Sequence, residues 1–431
     1  MSQNRSAVPH LTTALTGPLQ AIEQHFLDHQ ARIETWFRRA WRQTPAPFYA
    51  SVDLRNAGFK LAPVDTNLFP AGFNNLNPAF HPLCILAVQS ALERYCPEAC
   101  GIVIVPEKHS RNLFYLEALG ELQDIVQRAG YEVRIGSVAE EITQVTQMSL
   151  PSGRQLTLEP MQRDGNILMV GDFAPCVVLL NNDLSSGMPP ILQDIDQPII
   201  PPPTLGWNHR LKSEHFAEYR RVALEFAELI DLDPWLFDPM FRRCGEIDFM
   251  KQEGVGCVAE NVDGLLQDIG RKYKEYGVTQ EPFVIVKADA GTYGMGVMTV
   301  TDPAQVYELN RKQRTRMSTA KEGQAISKVI VQEGVYTFET WGDKQAVAEP
   351  VVYMIDHFVV GGFYRVHTGR GINENLNAPG MHFEPLSFVE PLNNPDQNLN
   401  PDADVNRFYA YGVVARLALL AAAREIAKAN A

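Results

Sequence analysis

Apolar residues recur near helical spacing from Leu19 through Ile22, Phe26, Ile33, Phe37 and Trp41. That spacing gives a helix one apolar face. Thr16-Gly17-Pro18 opens it with a cap followed by proline, and Pro45 and Pro47 end it. From Phe48 to Leu76 the pattern changes to strand, Asn-Ala-Gly turn, strand and loop. Gly101 to Val105 reads as an apolar strand, PEKHSRN as a loop, Leu113 to Ala129 as a helix stopped by Gly130, and Tyr131 to Ile135 as a second strand. Together these make a βαβ unit. A third strand, Cys176 to Leu180, ends in the polar loop NNDLSSG. The stiff run PIIPPP, residues 198–203, marks a domain boundary. Beyond it come a long amphipathic helix ending at Leu229 and a charged amphipathic helix over 260–277. Further strands follow at 283–286, 297–300 and 329–337, and an antiparallel pair at 347–354 and 358–367. An alanine-rich helix, Asp402 to Ala429, closes the chain.

Composition narrows the function. A chain of 431 residues, 45% hydrophobic and 21% charged, is an ordinary globular protein of two or three domains. The net charge of −13, with no basic tail, speaks against nucleic acid as a partner. No run of eighteen apolar residues suggests a membrane span, and the N-terminus lacks the apolar core of a signal peptide. Cys96 and Cys100 are the one close pair among six cysteines, and no second pair or His cluster completes a zinc site. The expectation is reduced thiols in a cytoplasmic protein. A homo-oligomer is compatible with the sequence.

The candidate chemistry begins at PFVIVKADAGTYGMGVMTV, residues 282–300. A strand runs into Lys287, and a small-residue loop with Gly291, Gly294 and Gly296 follows. Glycines let backbone N–H groups approach phosphate oxygens, and the ammonium adds a point charge. The loop matches neither the Walker A pattern nor the dinucleotide fingerprint, and a plain glycine hairpin is the alternative. Asp53, Asp65 and Asn67 fall on or after the 48–76 strands. Asp-x-Asn puts two oxygen ligands on one side of an extended chain, which suits Mg²⁺, although Asp and Asn also favour turns. His109, Arg111 and Asn112 follow a strand end, where ligands bind in open α/β sheets. They are candidates for a substrate carboxylate, with a helix-capping loop as the alternative. Gln332 and Glu333, with the backbone near Val335, are placed to read the amino edge of adenine. Arg365 sits mid-strand among apolar neighbours and wants an anion. The basic run Arg311 to Arg316 reads as a solvated helix end, or as a lid over phosphates.

The order of these parts resembles the ATP-grasp superfamily of carboxylate–amine ligases. The matching elements are Lys212, the strand lysine before the glycine loop (VIVKADAGTYGMG), the hinge strand VIVQEGV, and the arginine strand leading to FYRVHTGRGINENLNAPG. Over its whole length the chain is similar to the ATP-grasp type of bacterial glutamate–cysteine ligase. The resemblance implies an α/β (α+β) ATP-grasp fold with an N-terminal α/β substrate domain. The domains expected are 1–80, completing the ATP-grasp core; 81–205, the substrate domain; 206–345, the nucleotide-binding subdomain; and 346–431, the C-terminal catalytic subdomain. The implied substrates are ATP, glutamate and cysteine, with Mg²⁺ as cofactor. Lys212, Lys287, Gly291, Gly294, Gly296, Gln332, Glu333 and Val335 would bind nucleotide. Lys287, Arg365, Asn375 and Asn377 would be catalytic.

Two departures stand out. Glutathione synthetases follow the corresponding loop and helix with a strand pair ending in Glu-x-Asn that holds the metal, whereas here a similar pair lies near the N-terminus. A circular permutation accounts for it, with Asp53, Asp65 and Asn67 in the metal-ligand places. Asn373 stands where the synthetase loop has arginine, and Arg370 is its candidate substitute. The rival readings are a glutathione-synthetase-like ligase and a non-catalytic ATP-binding protein.

Overall fold

The computed structural model describes residues 11–12, 18–108, 112–291, 296–318, 326–385 and 407–429. Its architecture is three sheets with helices packed between and around them.

The first sheet is antiparallel with seven strands, built on the fully buried strand Ala346–Ile355. Phe358–His367 pairs along one edge of it, and Met381–Pro385 lies beyond. The other edge is shared end to end. Glu339–Trp341 pairs with residues 346–348, and Tyr49–Asn56 pairs with residues 351–355. Leu61–Asn67 completes the hairpin begun by Tyr49–Asn56. An N-terminal hairpin is therefore part of a C-terminal sheet. The closing helix, Arg407–Ala429, packs on this hairpin and on helix Lys212–Ile230.

The second sheet has four antiparallel strands in the order Phe241–Gly245, Lys328–Glu333, Val284–Ala288, Val297–Val300. Val284 and Val286 point into the core beneath helix Val255–Glu275, so Ile285 and Lys287 emerge on the opposite face. Gly334 follows the hinge strand where a Cβ would come within 2.2 Å of the Phe283 ring, so only glycine allows that approach.

The third sheet runs parallel through Ile199–Ile200, Val177–Asn181, Gly101–Pro106 and Glu132–Ser137. It continues into a small antiparallel meander of Gln155–Asp164, Thr146–Ser149 and Ile167–Val170. Helices His81–Tyr95 and Leu113–Arg128 pack together beside it. The first of these helices, the meander and the strand Phe241–Gly245 are absent from the sequence reading. The single N-terminal helix expected is two, Pro18–Asp28 and Gln30–Gln43. His29 separates them with φ −101° and ψ 8°, and its ring Nδ1 lies 2.9 Å from the His25 carbonyl oxygen. A local side-chain bond of this kind competes with the helix ladder. The basic run forms the short helix Arg311–Ser318, with most of its side chains exposed.

Candidate active site

Strand register gathers the site. Asp53 lies opposite Asp65 across the hairpin and opposite Val351 on its other side. Two residues along from Val351, Glu349 lies opposite Arg365. Alternation of side chains therefore brings Asp65, Asp53, Glu349 and Arg365 to one face of the first sheet. The second sheet faces them with Ile285, Lys287 and, opposite Ile285, Gln332. Lys212, the first residue of its helix, and the loop residues Asn375 and Asn377 complete the lining. The cleft between the two sheets holds about 850 Å³, open solvent at its mouth included.

The loop after Lys287 positions Lys212 as well. Asp289 accepts hydrogen bonds from the Ser213 backbone N–H and hydroxyl, both at 2.7 Å, and its carbonyl accepts from the Lys212 N–H at 2.7 Å. A carboxylate on the first turn of a helix satisfies donors the helix cannot. One acidic residue thus ties the two lysines into a single unit. Lys212 Nζ donates to Asp65 at 2.8 Å and lies 3.9 Å from the Trp207 ring centroid. Lys287 Nζ donates to the Val64 carbonyl at 2.6 Å. Arg365 donates to Asp53 at 2.9 Å and to Glu349 at 2.5 Å, while Arg55 donates to the other Glu349 oxygen at 3.0 Å.

These groups perturb one another strongly. Burial pushes the Lys287 amine down to about 8, although the Asp65 carboxylate opposes the shift. Burial would raise Asp65, but Lys212 and Lys287 override it and hold the carboxyl well below its usual range. Burial raises Asp53 despite the neighbouring Arg365. Burial disfavours the Arg365 charge too, yet Asp53 and Glu349 keep the guanidinium firmly protonated. Two buried donors of the cleft, Arg365 Nε and Gln332 Nε2, have no hydrogen-bond partner among the described residues. Buried polar groups are normally paired, so these two mark where a ligand supplies acceptors.

Most of the residues singled out from sequence meet here: Asp53, Asp65, Lys212, Lys287, Gly291, Gln332, Glu333, Val335, Arg365, Asn375 and Asn377 all line the cleft. Others do not. Asn67 is not part of the lining, and its carboxamide is bonded to the Phe69 backbone at the strand end. Asn112 caps helix Leu113–Arg128 by accepting from the Tyr115 N–H at 3.3 Å. Glu333 lines the cleft, but its carboxylate is already engaged by Lys60, the Trp235 indole and the Met240 N–H. Gly296 closes the glycine loop at φ +61°, outside the lining. Arg370 pairs with Glu374 at 2.9 Å, away from the cleft. His109, Arg111 and Gly294 lie outside the described residues. Sequence reasoning missed Arg55, Glu349 and Asp289. Arg55 was within reach, since it follows Asp53 by two residues on one strand; Glu349 is a lone acid in an apolar strand and carried the same signal as Arg365.

Asp53 and Asp65 fit a magnesium ion in part. Among the described residues no three acidic, His or Cys side chains gather as a self-sufficient metal cluster. Two facing carboxylates beside a phosphate-sized cleft are what Mg²⁺ uses when substrate phosphates complete its shell.

Two sheets closing on a cleft lined by two lysines and an arginine strand define an ATP-grasp ligase. The family model described as GshA, glutamate-cysteine ligase, matches residues 23–426. The chain belongs to the glutamate–cysteine ligase family. It is 61% identical to a protein from Methylobacillus flagellatus described as "Putative gamma-glutamylcysteine synthetase", whose crystal structure superposes with a TM-score of 0.90, covering 98% of this chain and 99% of that one. A glutathione synthetase-like effector from Globodera pallida aligns at 8% identity and a TM-score of 0.36, over 84% of this chain and 78% of its own. D-alanyl-alanine synthetase A from Vibrio cholerae aligns at 10% and 0.32, over 74% and 81%. The family assignment does not rest on these last two. No curated protein matches the chain.

Proposed function

We propose a residue-level account of the family's reaction in this chain. The protein is an ATP-dependent ligase that forms γ-glutamylcysteine. In our reading the γ-carboxylate of glutamate takes the γ-phosphoryl group of ATP, giving a γ-glutamyl phosphate and ADP. The cysteine amine then attacks the acyl carbon, the C–O bond to phosphate breaks, and inorganic phosphate leaves with the amine's proton lost to solvent. The protein's part is positioning and charge stabilisation.

The carrying observation is the convergence of Lys212, Lys287 and Arg365 on one cleft from three separate parts of the chain. Lys212 and Lys287 would neutralise the α- and β-phosphates. Arg365, whose Nε lacks a partner, would donate to the transferring phosphoryl group with Asn375 and Asn377 beside it. Gln332 offers its free carboxamide N–H to the base. Asp53 and Asp65 would hold Mg²⁺, which would supply positive charge to offset that of the phosphates. Exclusion of water would protect the acyl phosphate from hydrolysis. The hairpin's place in the C-terminal sheet supports the permuted ATP-grasp reading. A cytoplasmic location agrees with six free thiols.

The test is mass spectrometry of products from ATP, Mg²⁺, glutamate and an amino-acid mixture. Mass corresponding to γ-glutamylcysteine is expected. Turnover only with γ-glutamylcysteine plus glycine would overturn the substrate reading, and no ADP under any mixture would overturn the catalytic one.

A further inference from the structure

Behind the phosphate-facing residues lies a second charged cluster with no part in the mechanism above. Arg210 just precedes helix Lys212–Ile230, and its side chain is 3% exposed. Its Nε donates to Glu425 at 2.9 Å, and one terminal nitrogen donates to the other Glu425 oxygen at 3.3 Å. The remaining nitrogen donates to the Thr66 carbonyl at 2.7 Å. His215, one turn along the same helix from Lys212, closes the group through Nδ1, which contacts both Arg210 and Glu425. Glu425 comes from the last turns of the closing helix, Arg407–Ala429.

Two contacts carry this cluster into the cleft. Thr66 is the residue after Asp65, so fixing its carbonyl fixes the strand that presents the Asp65 carboxylate. The Arg210 guanidinium also stacks 5.1 Å from the centroid of the Trp207 ring, the ring that lies 3.9 Å from Lys212 Nζ. A bidentate guanidinium–carboxylate pair has a defined plane, so Glu425 sets the orientation of Arg210 on both neighbours.

We propose that Arg210 and Glu425 are positioning residues for the Asp65–Lys212 pair, making the end of the closing helix a determinant of Mg·ATP affinity. The proposal rests on the nucleotide reading of the cleft. A long helix near the chain's end thereby does more than cover the sheet, because its Glu425 reaches the back of the phosphate site.

The test uses the full chain and separates affinity from folding. Glu425→Gln and Arg210→Lys are compared with Glu34→Gln, which breaks a second, also largely buried pair of the same helix, Glu34–Arg416 at 2.8 Å. The expected result is a KM for Mg·ATP raised about tenfold or more, the usual cost of losing an outer-shell partner. At saturation kcat should stay within about twofold, the signature of lost uniform binding. The Mg²⁺ concentration for half-activation should rise in parallel. Glu34→Gln is expected to lower Tm and leave KM unchanged. The proposal is overturned if Glu425→Gln and Arg210→Lys lower Tm without moving KM, or if Glu34→Gln moves KM as much. Should either variant fail to fold, Glu425→Asp, which keeps the charge at a shorter reach, carries the same expectation in smaller measure. A Lys212→Ala arm keeps the readings apart: an unchanged KM there refutes the nucleotide site itself.

Discussion

Lys287 is the residue in which burial and chemistry conflict most openly. Burial pushes its amine down to about 8, against an ordinary value of roughly 10.4. Below pH 8 the charge that phosphate needs is already present. Above it, ATP must bring a proton with it. Affinity for ATP should therefore be flat below pH 8 and fall as pH rises beyond it, by at most about tenfold per pH unit from this group. The unliganded fold responds in the opposite sense. A depressed lysine binds fewer protons than its unfolded counterpart, so its contribution to stability rises over the same interval. Calorimetric titration across pH 7 to 9.5 would show both the weakening and the proton uptake, and Lys287→Arg should abolish them. An uptake unchanged in that variant would assign the proton elsewhere. Arg365 and Lys287 were legible from sequence because a lone cation in an apolar strand needs a reason. The sequence does not reveal that a buried Lys60 has already paired with the Glu333 carboxylate.

Between elements, that same pair fastens the N-terminal hairpin to the strand Lys328–Glu333. Lys60, in the hairpin turn, is 1% exposed and donates to Glu333 and to the Asp238 carbonyl, both at 2.9 Å. Trp235 lies beneath its ammonium at 4.5 Å. Removing one member of a buried pair strands the other, at about 3–5 kcal/mol. Lys60→Met should lose stability on that scale in urea unfolding. The double variant Lys60→Met/Glu333→Gln should be more stable than the single one, since a neutral carboxamide can still accept from Trp235 and Met240. Additive losses would show that the two residues do not depend on each other. Element periods were readable where one face is apolar, as in the hairpin and the long helices. The strand Phe241–Gly245 escaped because it carries two arginines and a cysteine on a partly exposed edge. Its place is set by pairing with Lys328–Glu333, which no local pattern announces.

At the level of the molecule, the first sheet draws its strands from both ends of the sequence. The ATP-grasp class was legible from the order of its motifs, and the hairpin's unusual position from the misplaced acidic strand pair. How the hairpin docks was not, because long-range pairing leaves no mark in a short window. The docking is extensive: hairpin residues pair with Ala346–Ile355 and pack on the closing helix. A chain nicked between Pro78 and Ala79, both exposed, should therefore stay assembled and keep ligating, with the two pieces co-eluting on gel filtration. Separation of the pieces under native conditions would mean that chain connectivity, rather than packing, holds the hairpin in place.

The shared edge of that sheet also sets a timetable for biosynthesis. Tyr49–Asn56 leaves the ribosome 290 residues before the strand it must join begins at Ala346. At about 5–20 residues per second this is a wait of roughly 15–60 s. Throughout it, a ribbon whose residues are nearly all buried in the finished fold has one flank open, so nascent chains of intermediate length should be the species most dependent on holdase chaperones.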